Sequence, residues 1–294
     1  MGTRSDSGLT SHRDDIADST IAILLPGGML NGQEVSPRFK AKCEEDVIYH
    51  LLFLEEALRL EMPSLFEEYT SWAAVVLETA GLPPRCLTDS LDAMKRAIGA
   101  LDIADAGPAL EFLDRGTSAA RDVSAPPETF LVHDAPYVDL AAHYLSTIFK
   151  GDTRGAKRAV LDEIENGSTI EDIYLHVLQP ALHEVGRLWQ VGRISVGTEH
   201  HATATTRELM SIVAQVCGAC DHRVNKRIVV ACVSQEQHDV GARMVVDMFE
   251  KAGWDTIYMG ANTPAESIAA AIRDFNADLL GISTTIASNL SETS

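Results

Sequence analysis

The sequence predicts an α plus α/β chain: an N-terminal all-helical module, a four-helix bundle acting as a cap, then a Rossmann-like parallel α/β domain. Three observations predict it. Between residues 226 and 294, apolar runs alternate with amphipathic stretches in the order β (228–233), α (241–252), β (255–259), α (265–275), β (278–283). Such alternation implies parallel strands joined by right-handed crossovers. Over 130–222 four helical patterns follow one another, the number a small bundle needs. Over 41–122 apolar residues recur at helical spacing, with no strand pattern among them.

Composition narrows the function classes. The chain has 294 residues, 46% of them hydrophobic, enough for two domains or more with real cores. Lys plus Arg is 24 against 43 for Asp plus Glu, a net charge of −19. Such a chain repels nucleic acid and anionic membranes, and it shows no basic helix-turn-helix, so neither partner is expected. No apolar run approaches the length of a membrane span. Ile21-Ala22-Ile23-Leu24-Leu25 is short, follows an acidic stretch and stops at Pro26-Gly27-Gly28, which makes a poor signal peptide. The five cysteines are scattered, and Cys217-Gly-Ala-Cys220 is a lone CxxC that reads as a helix end rather than a zinc or redox site. A cytoplasmic location is expected.

Taken in order, residues 1–40 are rich in Ser, Asp, Gly and Pro and read as a mostly disordered arm with one sticky apolar patch. From Cys43, the residues Val47, Leu51, Leu54 and Leu58 keep helical spacing up to Met62-Pro63. Ser64 with Glu67 reads as a capping box opening a helix through Trp72, closed by Gly81 and Pro83-Pro84. Thr88 opens a third helix to about Leu101, and a fourth pattern runs from about Pro108 to Arg115. Ser124-Ala125-Pro126-Pro127-Glu128 is the first clear linker. In the bundle, Asp134 before Pro136 is the expected cap of a helix to about Lys150, and Asp152 that of the next. Ser168 with Glu171 is a second expected capping box, opening a long helix that Pro180 should kink. After Gly192 and Gly197 a last helix takes Glu199 to about Cys217. The α/β alternation stops at Ser294 just after its third strand, so the domain reads as incomplete, with any effector domain beyond it missing.

The stretch around which the rest is arranged is Ser234-Gln235-Glu236-Gln237-His238-Asp239-Val240-Gly241. It lies between a strand and a helix, which puts His238 at the carboxyl edge of a parallel sheet, where ligands of open α/β sheets bind. Imidazole is a good transition-metal ligand. Glu236 can accept the other ring N–H and fix the tautomer. Gly241 allows close approach where the helix begins. About forty residues on, a second apolar strand ends at Ser283, two residues before Thr285.

These residues resemble the cobalamin-binding domains of methionine synthase, the corrinoid mutases and related sensors, whose pattern is Asp-x-His-x-x-Gly followed after some forty residues by Ser-x-Leu. The resemblance implies that His238 binds cobalt from below in place of the cofactor's own base, that Glu236, Asp239, Val240 and Gly241 frame it, and that Ser283 and Thr285 line the slot for the displaced nucleotide tail. Glu236 stands where the family has Asp, and Thr285 where it has Leu.

A second constellation sits in the bundle. Trp189, then nine residues, then Glu199-His200 resembles the cap of cobalamin-dependent photoreceptors, the light-responsive carotenoid-gene repressors and their relatives. Read alone, Trp189 is a core residue and Glu199-His200 a solvated helix start. With the resemblance, Trp189 supplies a plane for an adenosyl group, Glu199 an acceptor for its hydroxyls or amine, and Val196 packs alongside. Gln190 departs from the repressors, which carry a histidine there as the upper ligand after illumination. His200 or His201 takes that role, or water does, or the lit state differs; neighbours on a helix point about 100° apart, so both histidines cannot face the cofactor.

The N-terminal module gathers Tyr49, His50, Phe53, Phe66, Tyr69 and Trp72 within two helices, which from the residues alone reads as an ordinary helical core. The module resembles that of photocobilins, sensors pairing cobalamin with biliverdin; Tyr49, His50, Tyr69 and Trp72 would then line the bilin. The combined expectation is a non-enzymatic light sensor binding adenosylcobalamin and biliverdin, a homo-oligomer that changes with light and addresses a downstream effector. The alternative is a corrinoid methyl carrier of a methyltransferase system.

Overall fold

A computed structural model describes residues 8–30, 33–83, 85–104, 106–123, 127–217 and 222–293 of the chain. The chain divides into two compact units, Met1–Pro126 and Pro127–Ser294. Ser124 to Pro126 of the expected linker, Pro84, Cys220 of the CxxC and the first seven residues of the expected arm lie outside the described residues.

The first unit is helical. α1 (Gly8–Ser11) and α2 (Arg13–Leu24) lead through a 3-10 turn at Pro26–Gly28 and a minimal hairpin, β1 (Met29–Leu30) with β2 (Gln33–Glu34), into α3 (Pro37–Arg59), α4 (Pro63–Thr79), α5 (Arg85–Gly99) and α6 (Ala106–Asp122). The expectation of a disordered arm is corrected here over residues 8–30. Leu9, Ile16, Ala17, Ile21 and Leu25 are buried in one cluster with Leu51, Leu54, Met94 and Ile98. Ile16, Thr20 and Ile21 fall on one helical face, while Asp14 and Asp15 in the first turn suit the positive end of the helix dipole. A polar composition hid a narrow apolar stripe that α3 and α5 cover. Arg13 seals it by a two-pronged pair to Glu55, at 2.8 and 2.5 Å. On the far side, α4 and α6 approach closely because position 116 is Gly: a Cβ there would stand 2.6 Å from the Phe66 ring.

Two helix starts differ from expectation. α4 begins at Pro63, whose fixed φ suits the first helical position, and no side chain caps it; Glu67 is paired instead with Arg115. α5 begins at Arg85, three residues before Thr88.

The second unit begins with the bundle: α7 (Val138–Phe149), α8 (Thr153–Glu165), α9 (Ile170–Ile173) running through a π turn (Tyr174–Leu178) into α10 (Gln179–Gln190), then α11 (Val196–Val216). Asp134 does not cap α7. It lies at φ 70°, and Tyr137, at φ 58°, occupies the cap position. Asp152 does cap α8, accepting the Gly155 amide at 2.8 Å. The capping box falls on Thr169 and Asp172, because the Ser168 hydroxyl is committed to Glu163 at 2.9 Å and Tyr137 at 3.0 Å. Pro180 is absorbed by the π turn before it: the Gln179 amide reaches back to the Tyr174 carbonyl. A π turn widens the helix where a proline ring would crowd the carbonyl four residues back.

The sheet follows as β3 (Arg227–Cys232), α12 (Val240–Lys251), β4 (Asp255–Gly260), α13 (Ala265–Asp274) and β5 (Leu279–Ser283), closing on a 3-10 turn at Ala287–Thr293. The strands are parallel in the order β4-β3-β5, with β3 central and Cys232 opposite Ser283. α12 is covered on two sides. Val240, Met244 and Met248, one turn apart, pack on the bundle core. Ala242 and Val246 pack on the sheet with Ile228 and Val230. Polar contacts seal the same seam: Tyr174 donates to Asp247 at 2.7 Å, Arg243 pairs with Asp247 at 2.5 Å, and Lys251 reaches Glu171 at 2.7 Å. Burial raises the Asp247 carboxyl, opposed by Tyr174 and Arg243. Among the described residues no helix is long and apolar enough to cross a membrane.

Candidate cofactor-binding site

The carboxyl edge of the sheet is built by three loops that hold one another. After β3 the chain must turn sharply, and Gln235 takes a left-handed φ of 63°. Its amide donates to the Asn262 side chain at 2.7 Å, and the Asn262 amide returns a bond to the Glu236 carbonyl at 2.9 Å. The Thr263 amide donates to the Cys232 carbonyl at 3.1 Å, fixing the loop after β4.

Glu236 is fully buried and ties the first loop to the third. Its Oε2 accepts the amides of Thr285 at 2.6 Å and Ile286 at 2.9 Å. Its Oε1 accepts the His238 amide at 2.9 Å and lies 2.6 Å from His238 Nδ1. Burial alone would raise this carboxyl, but the amides of Ile286, Thr285 and His238, with the His238 ring, outweigh it and hold it down to about 2. A carboxylate at that place makes Nδ1 the protonated ring nitrogen and leaves the Nε2 lone pair for a ligand. The His238 side chain is 60% exposed, so that lone pair is presented rather than packed away. Gly241 faces open space: apart from its chain neighbours and the backbone of its own helix, nothing comes within 4 Å of where its Cβ would stand. One imidazole, its orientation fixed and its far nitrogen accessible, is a fitting single protein ligand for a cobalt ion.

The flanking residues divide between roles. Asp239 caps nothing with its side chain; it pairs with Arg207 of α11, and the Tyr258 hydroxyl donates to it at 3.1 Å. Val240 belongs to the seam with the bundle. Ser283 pairs with β3, its carbonyl accepting the Val233 amide at 3.1 Å. Thr285 enters through its backbone, with its side chain exposed.

The bundle residues occupy the end of α10 and the start of α11. Trp189 is half-buried at the last turn of α10, which Gly192 closes at φ 66°. Ser195 caps α11, accepting the Thr198 amide at 3.1 Å, so the helix starts at Val196, three residues before the expected Glu199. Val196 is 55% exposed. Glu199 holds the Thr203 hydroxyl at 2.9 Å and the His200 ring. His200 and His201 are both exposed, and His200 is engaged by Glu199. In the first unit, His50 and Tyr69 are buried and joined, Nδ1 to hydroxyl, at 2.6 Å. Phe53 stacks on Tyr69 at 3.8 Å, with Trp72 at 6.3 Å. Tyr49 is exposed, while burial pushes His50 down to about 4.

Sequence reasoning did not anticipate the Ile286 amide, Arg207 or Tyr258. A backbone donor carries no side-chain signature, and Arg207 reads as an ordinary solvated helix residue.

Comparison with known proteins bears on this site. Residues 226–294 match the B12 binding domain, and residues 140–214 match a second B12 binding domain family. Those two stretches thus match B12 binding domains, which indicates cobalamin as the cofactor. Among curated proteins it is 28% identical over 125 residues to the HTH-type transcriptional repressor CarH of Myxococcus xanthus, and 27% identical over 124 residues to the repressor CarA of the same organism. Each match covers 42% of this chain and 41% of the repressor. Among solved structures, similarity extends to the methanol:cobalamin methyltransferase complex MtaBC from Methanosarcina barkeri (TM-score 0.31, 21% identity, 56% of this chain and 64% of that one). It extends also to a cobalamin-binding protein from Desulfitobacterium hafniense DCB-2 (TM-score 0.29, 18% identity, 53% and 73%).

Proposed function

We propose that this chain is a light-sensing module that binds adenosylcobalamin, with His238 as the lower axial ligand and Trp189, Val196 and Glu199 around the upper face. The observation that carries the reading is the Glu236–His238 pair, since a buried carboxylate fixing an exposed imidazole is what a cobalt ligand needs. Adenosylcobalamin supplies a weak cobalt–carbon bond that visible light breaks. The chain's own residues do the rest. Glu236 keeps His238 in one tautomer; Trp189 offers an apolar plane; Glu199 offers an acceptor. Ser283 and Thr285 flank the slot for the nucleotide tail, and Asp239, Val240 and Gly241 frame His238. His200 or His201 is the candidate upper ligand after illumination, in place of the histidine that Gln190 replaces. We read the chain as a sensor rather than an enzyme, a homo-oligomer that rearranges with light and acts on an effector. Partial identity to two repressors supports a regulatory role.

Biliverdin is a second chromophore in this proposal, held by the cluster of Tyr49, His50, Tyr69 and Trp72. The exposed faces of Tyr49 and Trp72 are what a flat tetrapyrrole would meet. A corrinoid methyl carrier is the second reading, favoured by Gln190, which removes the imidazole a light-state ligand would need at that place.

The test is an absorbance spectrum of protein reconstituted in the dark with adenosylcobalamin, with and without biliverdin, before and after green light. A stable, protein-bound light product supports the sensor, and a retained far-red band supports the bilin. Bound cobalamin with no stable light product moves the assignment to the methyl carrier. In the same preparation, His238→Ala removes the nitrogen hyperfine splitting from the electron paramagnetic resonance spectrum of the Co(II) form; unchanged splitting would sink the axial assignment.

A further inference from the structure

Helix α11 carries groups for both faces of the site. Its first turn holds Glu199 and His200; two turns on, Arg207 reaches the β3–α12 loop and pairs with Asp239. Eight residues at the helical rise separate the two groups by about 12 Å along one rigid rod. Asp239 directly follows His238, and it is gripped from the sheet as well. The Tyr258 hydroxyl of β4 lies 3.1 Å from both the Asp239 carboxylate and its carbonyl. The Tyr258 ring is covered in turn by the Arg243 guanidinium, 5.7 Å from its centroid. His238 is thus held from its amino side by Glu236, which answers to the loop after β5, and from its carboxyl side by Asp239, which answers to β4 and to the bundle.

We propose that Arg207 is a positioning residue. Through Asp239 it ties the height of α11, and with it Glu199, to the seat of His238, and so fixes the separation between the two faces of the site. The inference rests on the reading of His238 as the axial ligand. A fixed separation is a specificity device: it matters most for a cobalamin whose upper substituent fills the space under the bundle, and least for one carrying only water or hydroxide.

The experiment compares dissociation constants for adenosylcobalamin and hydroxocobalamin, measured in the dark, in the wild type, Arg207→Met and Arg207→Lys, alongside the melting temperature of each protein without cobalamin. Arg207→Met is expected to lower the preference for adenosylcobalamin about two- to five-fold, consistent with a single partly exposed ion pair. Arg207→Lys, which keeps the charge, is expected to restore at least half of that preference, and the melting temperature stays within about 2 °C of wild type. An unchanged preference overturns the proposal, whether both affinities hold or both fall together. A loss that Lys does not restore, or one that tracks a lowered melting temperature, assigns Arg207 to packing and also overturns it. If the wild type binds neither cobalamin, the functional reading itself fails, whatever Arg207 does.

Discussion

The hydroxyl of Tyr174, in the π turn, donates to the buried carboxylate of Asp247, in α12, across 2.7 Å. The two residues are far apart in the chain and belong to different layers of the second unit. Removing the hydroxyl leaves Asp247 with Arg243 alone. Tyr174→Phe should therefore destabilise the second unit by about 1–3 kcal/mol, the cost of a buried acceptor losing its partner. Hydrogen exchange of the α12 amides measures it, and unchanged protection would mean that Arg243 suffices.

Glu236 gives the second unit an acid sensitivity of definite sign. Its folded pKa, about 2, lies below the unfolded carboxyl value of about 4.3. Its contribution is therefore fully present above the unfolded value and is lost as pH falls through the folded one. Glu236→Gln should be less stable than wild type at pH 7, and the gap should narrow from about pH 4.3 down toward pH 2. Denaturant midpoints of the two proteins across that range are the measurement; a gap that does not vary with pH contradicts the assignment of the lowered carboxyl.

His50 predicts a separate acid response in the first unit. Burial lowers it to about 4, against an unfolded value of about 6.5. The unfolded state gains the proton first, so the stability it contributes is present above about 6.5 and declines as pH falls toward 4. His50→Gln should remove that dependence. Exchange rates of α3 and α4 amides at several pH values report it, and a wild type flat between pH 6.5 and 4 would refute it.

Trp189→Ala should weaken adenosylcobalamin at least ten-fold, about 1.4 kcal/mol, while leaving hydroxocobalamin within about two-fold. Dark binding titrations with both cofactors decide it. Equal losses would make Trp189 a core residue rather than a pocket wall.

Ile16→Ala tests the structural standing of α2. Truncating a fully buried isoleucine costs about 2–5 kcal/mol, so the opening free energy of α2 and α5 amides should fall by that order. No change would return the segment to a loosely attached arm.

Local period and local chemistry were legible in the amino-acid order. The alternation from Ile228 to Ser283 fixed a parallel sheet, because buried parallel strands read as short apolar runs and their crossovers as amphipathic ones. The Glu-x-His spacing fixed the Glu236–His238 pair, because two residues apart in one tight loop the carboxylate reaches both the ring and the amide of the histidine. What the sequence could not hold was any partner chosen by distance in space. Ser168 lost its cap to Thr169 because Glu163 and Tyr137 had already claimed its hydroxyl. Leu9, Ile16, Ala17 and Ile21 became core because α3 and α5 offered a face that composition does not record. The amides of Thr285 and Ile286, some fifty residues from Glu236, have no side-chain signature, and Arg207 finds Asp239 only once α11 lies beside the sheet. Tertiary structure alone decided these, because a hydrogen bond or ion pair is satisfied by whichever group packing brings within reach.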